Sequence, residues 1–301
     1  RPQRSVFNLN RQNEFAQKTA CNPMMTLNCK GQLIDLSIPK VMGVLNLTPD
    51  SFYDGGKYKD EKSILSQTEK MLQEGAAFID AGAYSSRPGA DDIPVEEELR
   101  RIVPVVELLL RHFPGILISI DTFRSKVAKE TLDAGVALIN DISAGHLDPG
   151  MMETVAKARV PYIMMHMKGN PRTMKDMNTY TDLVEDIRYY FSERLASARA
   201  LGIHDLVIDP GFGFAKNIAQ NYELLRQLSL FSTLGVPVLA GLSRKSMIYK
   251  VLGTTPAEAL NGTTALNMVA LLGGASILRV HDVKEAVECV ALYGQLSDAS
   301  P

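Results

Sequence analysis

Amide, carboxylate, imidazole and cationic side chains stand, one after another, at the carboxyl ends of short apolar runs. Asn46 follows the run 41–45. Then come Asp80, Asp121, the pair Asn140 and Asp141, His166, Asp209, Ser243 with Arg244 and Lys245, and Arg279 with His281. Each alone has an ordinary reading as a helix cap or turn former. The set is harder to read that way. Buried acids, amides and cations gathered on one rim cost on the order of several kcal/mol of desolvation unless they pair with one another or with a ligand. Carboxylates and an amide can read the donors and acceptors of a bound molecule, and paired cations can hold an anion. Arg279 and His281 are two residues apart, which puts both on one side of an extended strand.

Such residues meet only if the strand ends meet. Continuous apolar runs at 41–45, 78–80, 117–120, 138–140, 162–165, 206–209, 237–240 and 276–279 read as strands buried on both faces. Segments with apolar residues three and four apart lie between them, as in Leu99, Ile102, Val103, Val106 and Leu110, or Leu183, Ile187, Tyr190, Phe191 and Leu195. Glycines close several of these helices, as at Gly75, Gly135, Gly202 and Gly235. Eight strand–helix units predict an α/β fold, a (β/α)8 TIM barrel forming a single domain. A doubly wound sheet is second, because no G-x-G-x-x-G follows an early strand. In a barrel the site forms at the loops after the strands.

Composition narrows the functional classes. The 301 residues carry 32 basic and 34 acidic side chains, a net charge of -2, with 46% hydrophobic content. No basic stripe supports nucleic-acid binding, whereas one small anionic substrate is compatible. Cys21, Cys29 and Cys289 form no close pair, which argues against a disulfide framework and predicts a reducing, cytoplasmic location. No apolar stretch approaches the roughly 20 residues that span a bilayer. Residues 1–24 are basic, acid-poor and without apolar period; we read them as a loosely ordered or expression-derived extension, with the barrel of residues 25–301 following.

What residues 25–301 bind is read from a resemblance, which makes them a pterin-binding barrel. N-L-T-P-D-S-F at 46–52, S-S-R-P-G-A at 85–90, S-I-D-T at 119–122, I-N-D at 139–141, M-H-M-K-G-N-P at 165–171, D-P-G-F-G-F at 209–214, S-R-K at 243–245 and R-V-H-D at 279–282 occur in order. From about residue 40 onward the chain resembles the dihydropteroate synthase family. The resemblance implies a transferase of folate biosynthesis. Such an enzyme condenses 6-hydroxymethyl-7,8-dihydropterin pyrophosphate with p-aminobenzoate, giving 7,8-dihydropteroate and pyrophosphate by dissociative substitution. It implies pterin contacts from Asp121, Asn140, Met165, Asp209, Gly213, Phe214, Lys245 and Arg279. It places Asn46, Ser86, Arg87, Arg279 and His281 at pyrophosphate, and Phe52, Pro88, Ser243 and Lys245 at p-aminobenzoate. Asp121, Lys245, Arg279 and His281 become the catalytic set, Asn46 a ligand of Mg2+, and the assembly a homodimer through helices near the carboxyl end. Sulfonamides are expected to compete with p-aminobenzoate.

The residue types suit those roles. Asp209 can accept from an exocyclic amine and ring N–H, Asn140 can donate or accept, and Lys245 can donate to a carbonyl. Phe214, Met165 and the Arg279 plane can cover the ring faces. Met164 reads as core filling, and of Phe212 and Phe214 one is expected to pack while the other meets ligand. The loops 48–58 and 85–92 read as lids. Two departures from the family pattern stand out: Tyr84 in place of glutamate and Ala215 in place of glycine; Ser86 replaces threonine and keeps the hydroxyl. A pterin-binding methyltransferase and a non-catalytic pterin-binding protein are the competing readings, and both lack a use for an anion pair at Arg279 and His281.

Overall fold

A computed structural model describes residues 25–47, 57–84, 93–171, 173–174 and 177–298. Expectations for residues 1–24, and for nearly all of the two lid loops, lie outside the described residues. Eight parallel strands follow a short hairpin: β3 (Lys40–Asn46), β4 (Phe78–Gly82), β5 (Ile118–Asp121), β6 (Leu138–Asp141), β7 (Tyr162–Met165), β8 (Leu206–Asp209), β9 (Leu239–Ala240) and β10 (Ile277–Val280). Each expected strand is present. The sheet order is β8-β7-β6-β5-β4-β3-β10-β9, and a parallel bridge between Ile208 and Val238 joins its two ends. The predicted barrel is therefore the observed one.

Nine α-helices are described around it. They are α1 (Lys57–Gln73), α2 (Val95–His112), α3 (Ser125–Ala134), α4 (Met151–Ala158), α5 (Leu183–Ala200), α6 (Ile218–Arg226), α7 (Ser246–Leu252), α8 (Leu260–Leu272) and α9 (Val283–Asp298). Among the described residues, no helix is long and apolar enough to cross a membrane.

The hairpin, β1 (Thr26–Cys29) with β2 (Gln32–Asp35), was not foreseen. Its strands have four residues each, too few for period-two alternation to be decisive. Cys29 pairs with Gln32, leaving Lys30 (φ 56°) and Gly31 (φ 85°) as a two-residue loop. Positive φ at both centres matches the right-handed twist of the strands, and glycine reaches it freely. The hairpin closes the amino-terminal end of the barrel: Leu27, Cys29 and Leu36 pack with Met42, Phe78, Leu138, Ile163, Val207, Leu239 and Ile277.

That cluster sets the inward phase of every strand. Two residues further along, the same phase turns Val44, Asp80, Ser119, Asn140, Met165, Asp209, Gly241 and Arg279 into the barrel. An apolar floor thus carries a polar layer above it. The alternate residues, among them Val41, Leu45, Ile79, Ile120, Ile139, Met164, Ile208 and Leu278, form the main core with the helices. Met164 is core, as expected, and its neighbour Met165 faces inward.

Candidate active site

The polar layer is joined by short hydrogen bonds. Asp80 and Asn140 come from strands separated by one other, and Arg279 comes from the far side of β3. Arg279 Nε donates to Asp80 Oδ2 at 2.6 Å, and its Nη2 donates to Asp121 Oδ2 at 2.8 Å. Asn140 Nδ2 donates to the same Asp80 oxygen at 3.0 Å. A planar guanidinium forked between two carboxylates is held in one orientation. Burial opposes its charge, but Asp80 and Asp121 outweigh that and raise the Arg279 pKa further.

Asp209 and Lys245 form the second half of the layer. A β-carbon placed on Gly241 would lie 3.8 Å from Lys245 Nζ and 3.9 Å from Asp209 Oδ2. Both groups therefore border the same stretch of backbone at Gly241. The Gly211 amide donates to Asp209 Oδ1 at 2.8 Å. Burial raises the Asp209 pKa, and Lys245 opposes that rise. Burial also brings Lys245 down to about 8 against the pull of Asp209. Lys245 Nζ donates to the Phe212 carbonyl at 2.5 Å and sits 5.0 Å from the centre of the Phe214 ring. Asp121, at the mouth, is pushed up to about 7 by burial, with Arg279 pulling the other way.

The loop after β8 bends as its glycines allow. Gly211 and Gly213 have φ of 73° and 82°, and a β-carbon on Gly211 would meet the His166 carbonyl at 2.1 Å. Phe212 is fully buried in the main core, while Phe214 packs at the edge of the Met165, Met167 and Met174 cluster above the layer. One ring packs and the other borders the site. Ala215 stands at φ 49°, a conformation that costs a non-glycine residue roughly 1 kcal/mol. Its methyl is buried in the methionine cluster, which offsets part of that strain.

His281 is exposed at the mouth beyond Arg279. Its Nδ1 lies 2.9 Å from Ser243 Oγ, and its own amide donates to that oxygen at 3.2 Å. In the tautomer in which Nδ1 accepts the Ser243 hydroxyl proton, Nε2 carries the imidazole proton as a donor. Asn46 ends β3, partly exposed, in the inward phase of Met42 and Val44. Phe52, Ser86, Arg87 and Pro88 lie outside the described residues.

Three groups of the strand-end series face elsewhere: Asp141, Arg244 and His166, whose buried ring packs against Tyr190 and Phe191. Asp141 is turned toward the helices, where it accepts from the Ser143 amide and hydroxyl (both 2.8 Å), the Gly145 amide (2.7 Å) and Tyr162 Oη (2.6 Å). It braces the loop after β6. Arg244 makes a bidentate pair with Asp282, 2.8 Å at each contact, away from the layer. Tyr84 lies edge-on to Phe123, 5.1 Å between ring centres, with Arg124 5.0 Å above it.

Lys216 has no counterpart in the sequence reading. It is buried and donates to the carbonyls of Gly211 and Phe214 at 2.9 Å each, with Nζ 3.1 Å from His166 Nδ1. Three acceptors match the three protons of an ammonium. Burial brings its pKa down to about 7. It clamps the loop that carries Gly213 and Phe214.

Comparison with known proteins agrees with this geometry. A family model described as "Pterin binding enzyme" matches residues 42–281. The dihydropteroate synthase of Escherichia coli is 44% identical over 268 residues, covering 88% of this chain and 94% of the relative. The chain belongs to the dihydropteroate synthase family. The crystal structure of Yersinia pestis dihydropteroate synthase in a sulfonamide drug complex superposes with a TM-score of 0.86 at 43% identity, covering 91% of this chain and all of that one. Xanthomonas albilineans dihydropteroate synthase with 4-aminobenzoic acid gives a TM-score of 0.84 at 41% identity over 92% of this chain and 99% of that one. Dihydropteroate synthases of this family are transferases of folate synthesis, and their barrel is the one described above.

Proposed function

We propose that this chain is a working dihydropteroate synthase whose pterin sits on the polar layer of the barrel. The observation that carries the reading is the convergence at one barrel end of Asn140 and Arg279, tied together through Asp80, with Asp209 and Lys245, whose charges act on one another, and with Asp121 above them. The other site features are consistent with the same use. Asp209 and Asn140 read the donor edge of the pterin, Lys245 donates to its carbonyl, and Met165, Phe214, Gly213 and Arg279 line its faces. A flat, polar heterocycle satisfies groups whose burial is otherwise costly.

The leaving diphosphate belongs at the mouth, where Arg279, the Nε2 proton of His281 and Asn46 meet developing negative charge. Ser243 orients His281 and, with Lys245, borders the p-aminobenzoate position. Mg2+ takes oxygen donors, keeps several waters and accepts few protein ligands. One amide oxygen from Asn46 beside a diphosphate fits that donor set; among the described residues no cluster of three His, Cys, Asp or Glu offers a fuller cage. When bound, the ion would neutralise diphosphate charge. An ionised Asp121 favours the methylene cation left on the pterin, and the neutral arylamine attacks it without any covalent enzyme intermediate. Product formation from dihydropterin pyrophosphate, p-aminobenzoate and Mg2+, with stoichiometric pyrophosphate, is the expected result. Tight pterin binding without turnover would favour a non-catalytic binding protein instead.

The charges of Asp121 and Lys245 give a pH prediction. Below about 7 Asp121 takes up a proton and loses its charge, and above about 8 Lys245 loses its own. Second-order turnover of the pterin substrate is therefore expected to peak between those values and fall on both sides. A flat profile between pH 5 and 9 would contradict the assigned roles.

The assembly proposed is a homodimer in a reducing cytoplasm. Cys29 and Cys289 are buried free thiols, which suits that compartment. On α8 and α9 the exposed apolar residues are Val269, Leu272, Leu292 and Leu296, and Val251 and Leu252 of α7 extend the set. Met268, Val287 and Val290 of the same two helices pack against the core. Sedimentation as a dimer that Leu272→Glu converts to monomer is expected; a monomeric wild type would contradict it.

A further inference from the structure

Asp80 is fully buried at the centre of the polar layer, yet nothing in the proposed reaction uses it. Its Oδ2 accepts from Arg279 Nε at 2.6 Å and from Asn140 Nδ2 at 3.0 Å. It thereby ties together two residues that face the ligand, brought from β10 and β6 by a strand that lies between them. Asp80 also sits in register with Ser119 of β5, the strand between β4 and β6.

We infer that Asp80 is a positioning residue that sets the hydrogen-bond polarity of the pterin pocket. An ionised carboxylate only accepts hydrogen bonds. The Asn140 amide must therefore turn its NH2 toward Asp80, which fixes its carbonyl oxygen on the opposite edge. Without that partner the amide could present either end, because its oxygen and nitrogen are nearly the same size. The same oxygen holds Arg279 at Nε, so that Nη2 reaches Asp121 and the guanidinium plane keeps one tilt. Asp80 touches no substrate in this arrangement. It acts through Asn140 and Arg279, and the inference rests on the pterin reading of the site.

The test is Asp80→Asn, which keeps the shape but replaces an acceptor-only group by a neutral one that can also donate. Affinity for dihydropterin pyrophosphate, measured by calorimetry, is expected to fall about 10- to 100-fold, as when a buried polar partner is left mismatched. KM for p-aminobenzoate should stay within about threefold, because that position lies beyond Asp80's two partners. In a double-mutant cycle, Asp80→Asn added to Asn140→Ala should cost clearly less than it does alone. Asp80→Ser, smaller and equally uncharged, replaces Asp80→Asn if the latter does not fold. Unchanged pterin affinity, equal loss toward both substrates, or full additivity in the cycle would overturn the inference. So would failure of both variants to fold, since Asp80 would then be a folding determinant. If the wild type itself binds no pterin, the proposed function fails; if it binds and Asp80→Asn binds equally well, only this inference fails.

Discussion

Lys245→Ala and Asp209→Asn should each weaken pterin binding by roughly 2–5 kcal/mol, on the order of 30-fold to several-thousand-fold. The two groups both lie close to Gly241, and each moderates the other's burial. Removing Lys245 leaves a buried carboxylate without its nearest cation and strips the donor aimed at the pterin carbonyl. Asp209→Asn keeps the volume but places an amide where two N–H groups need acceptors. Isothermal titration with dihydropterin pyrophosphate reads both losses. Affinity unchanged in either variant would remove these residues from the pocket.

His281→Ala should act on a different parameter. His281 stands beyond the pterin layer, hydrogen-bonded to Ser243 and exposed at the mouth. A donor aimed at developing diphosphate charge stabilises the transition state more than the bound substrate. The expected result is a loss of about 100-fold or more in kcat with pterin affinity within about threefold. Equal losses in both would count against a leaving-group role and place His281 in ground-state binding instead.

The strands were legible because both of their faces are buried, which leaves continuous apolar runs such as 162–165 and 206–209. Their polar termini marked the mouth for the same reason: Asn140, Asp209 and Arg279 interrupt apolar runs where no solvent-facing position exists. The hairpin at Thr26–Asp35 was hidden by its length, although Lys30-Gly31 is a recognisable turn pair. Which way a terminal residue points was less readable. Adjacent residues Asn140 and Asp141 lie on opposite faces, and only the inward phase set by the floor residues separates the ligand-facing amide from the loop brace.

Lys216 was missed for a physical reason as well. A lone lysine after a glycine-rich turn is ordinarily a solvated side chain, and nothing local announces that three buried acceptors await it. Asp80 stood in the strand-end series, but its part as a shared acceptor depends on β4 lying between β3 and β5, which is a property of the closed barrel rather than of any motif. The split between Phe212 and Phe214 could be anticipated as an alternative, and the positive φ of Gly211 and Gly213 decides which ring turns inward to the core.

The most direct measurement is a crystal structure of the protein with dihydropterin pyrophosphate. The account predicts the heterocycle lying flat on the polar layer, with Asp209, Asn140 and Lys245 in hydrogen-bond contact and the diphosphate toward Asn46 and His281. Density for the pterin anywhere else, or a layer still closed on itself with Lys245 bound only to the Phe212 carbonyl, would contradict it.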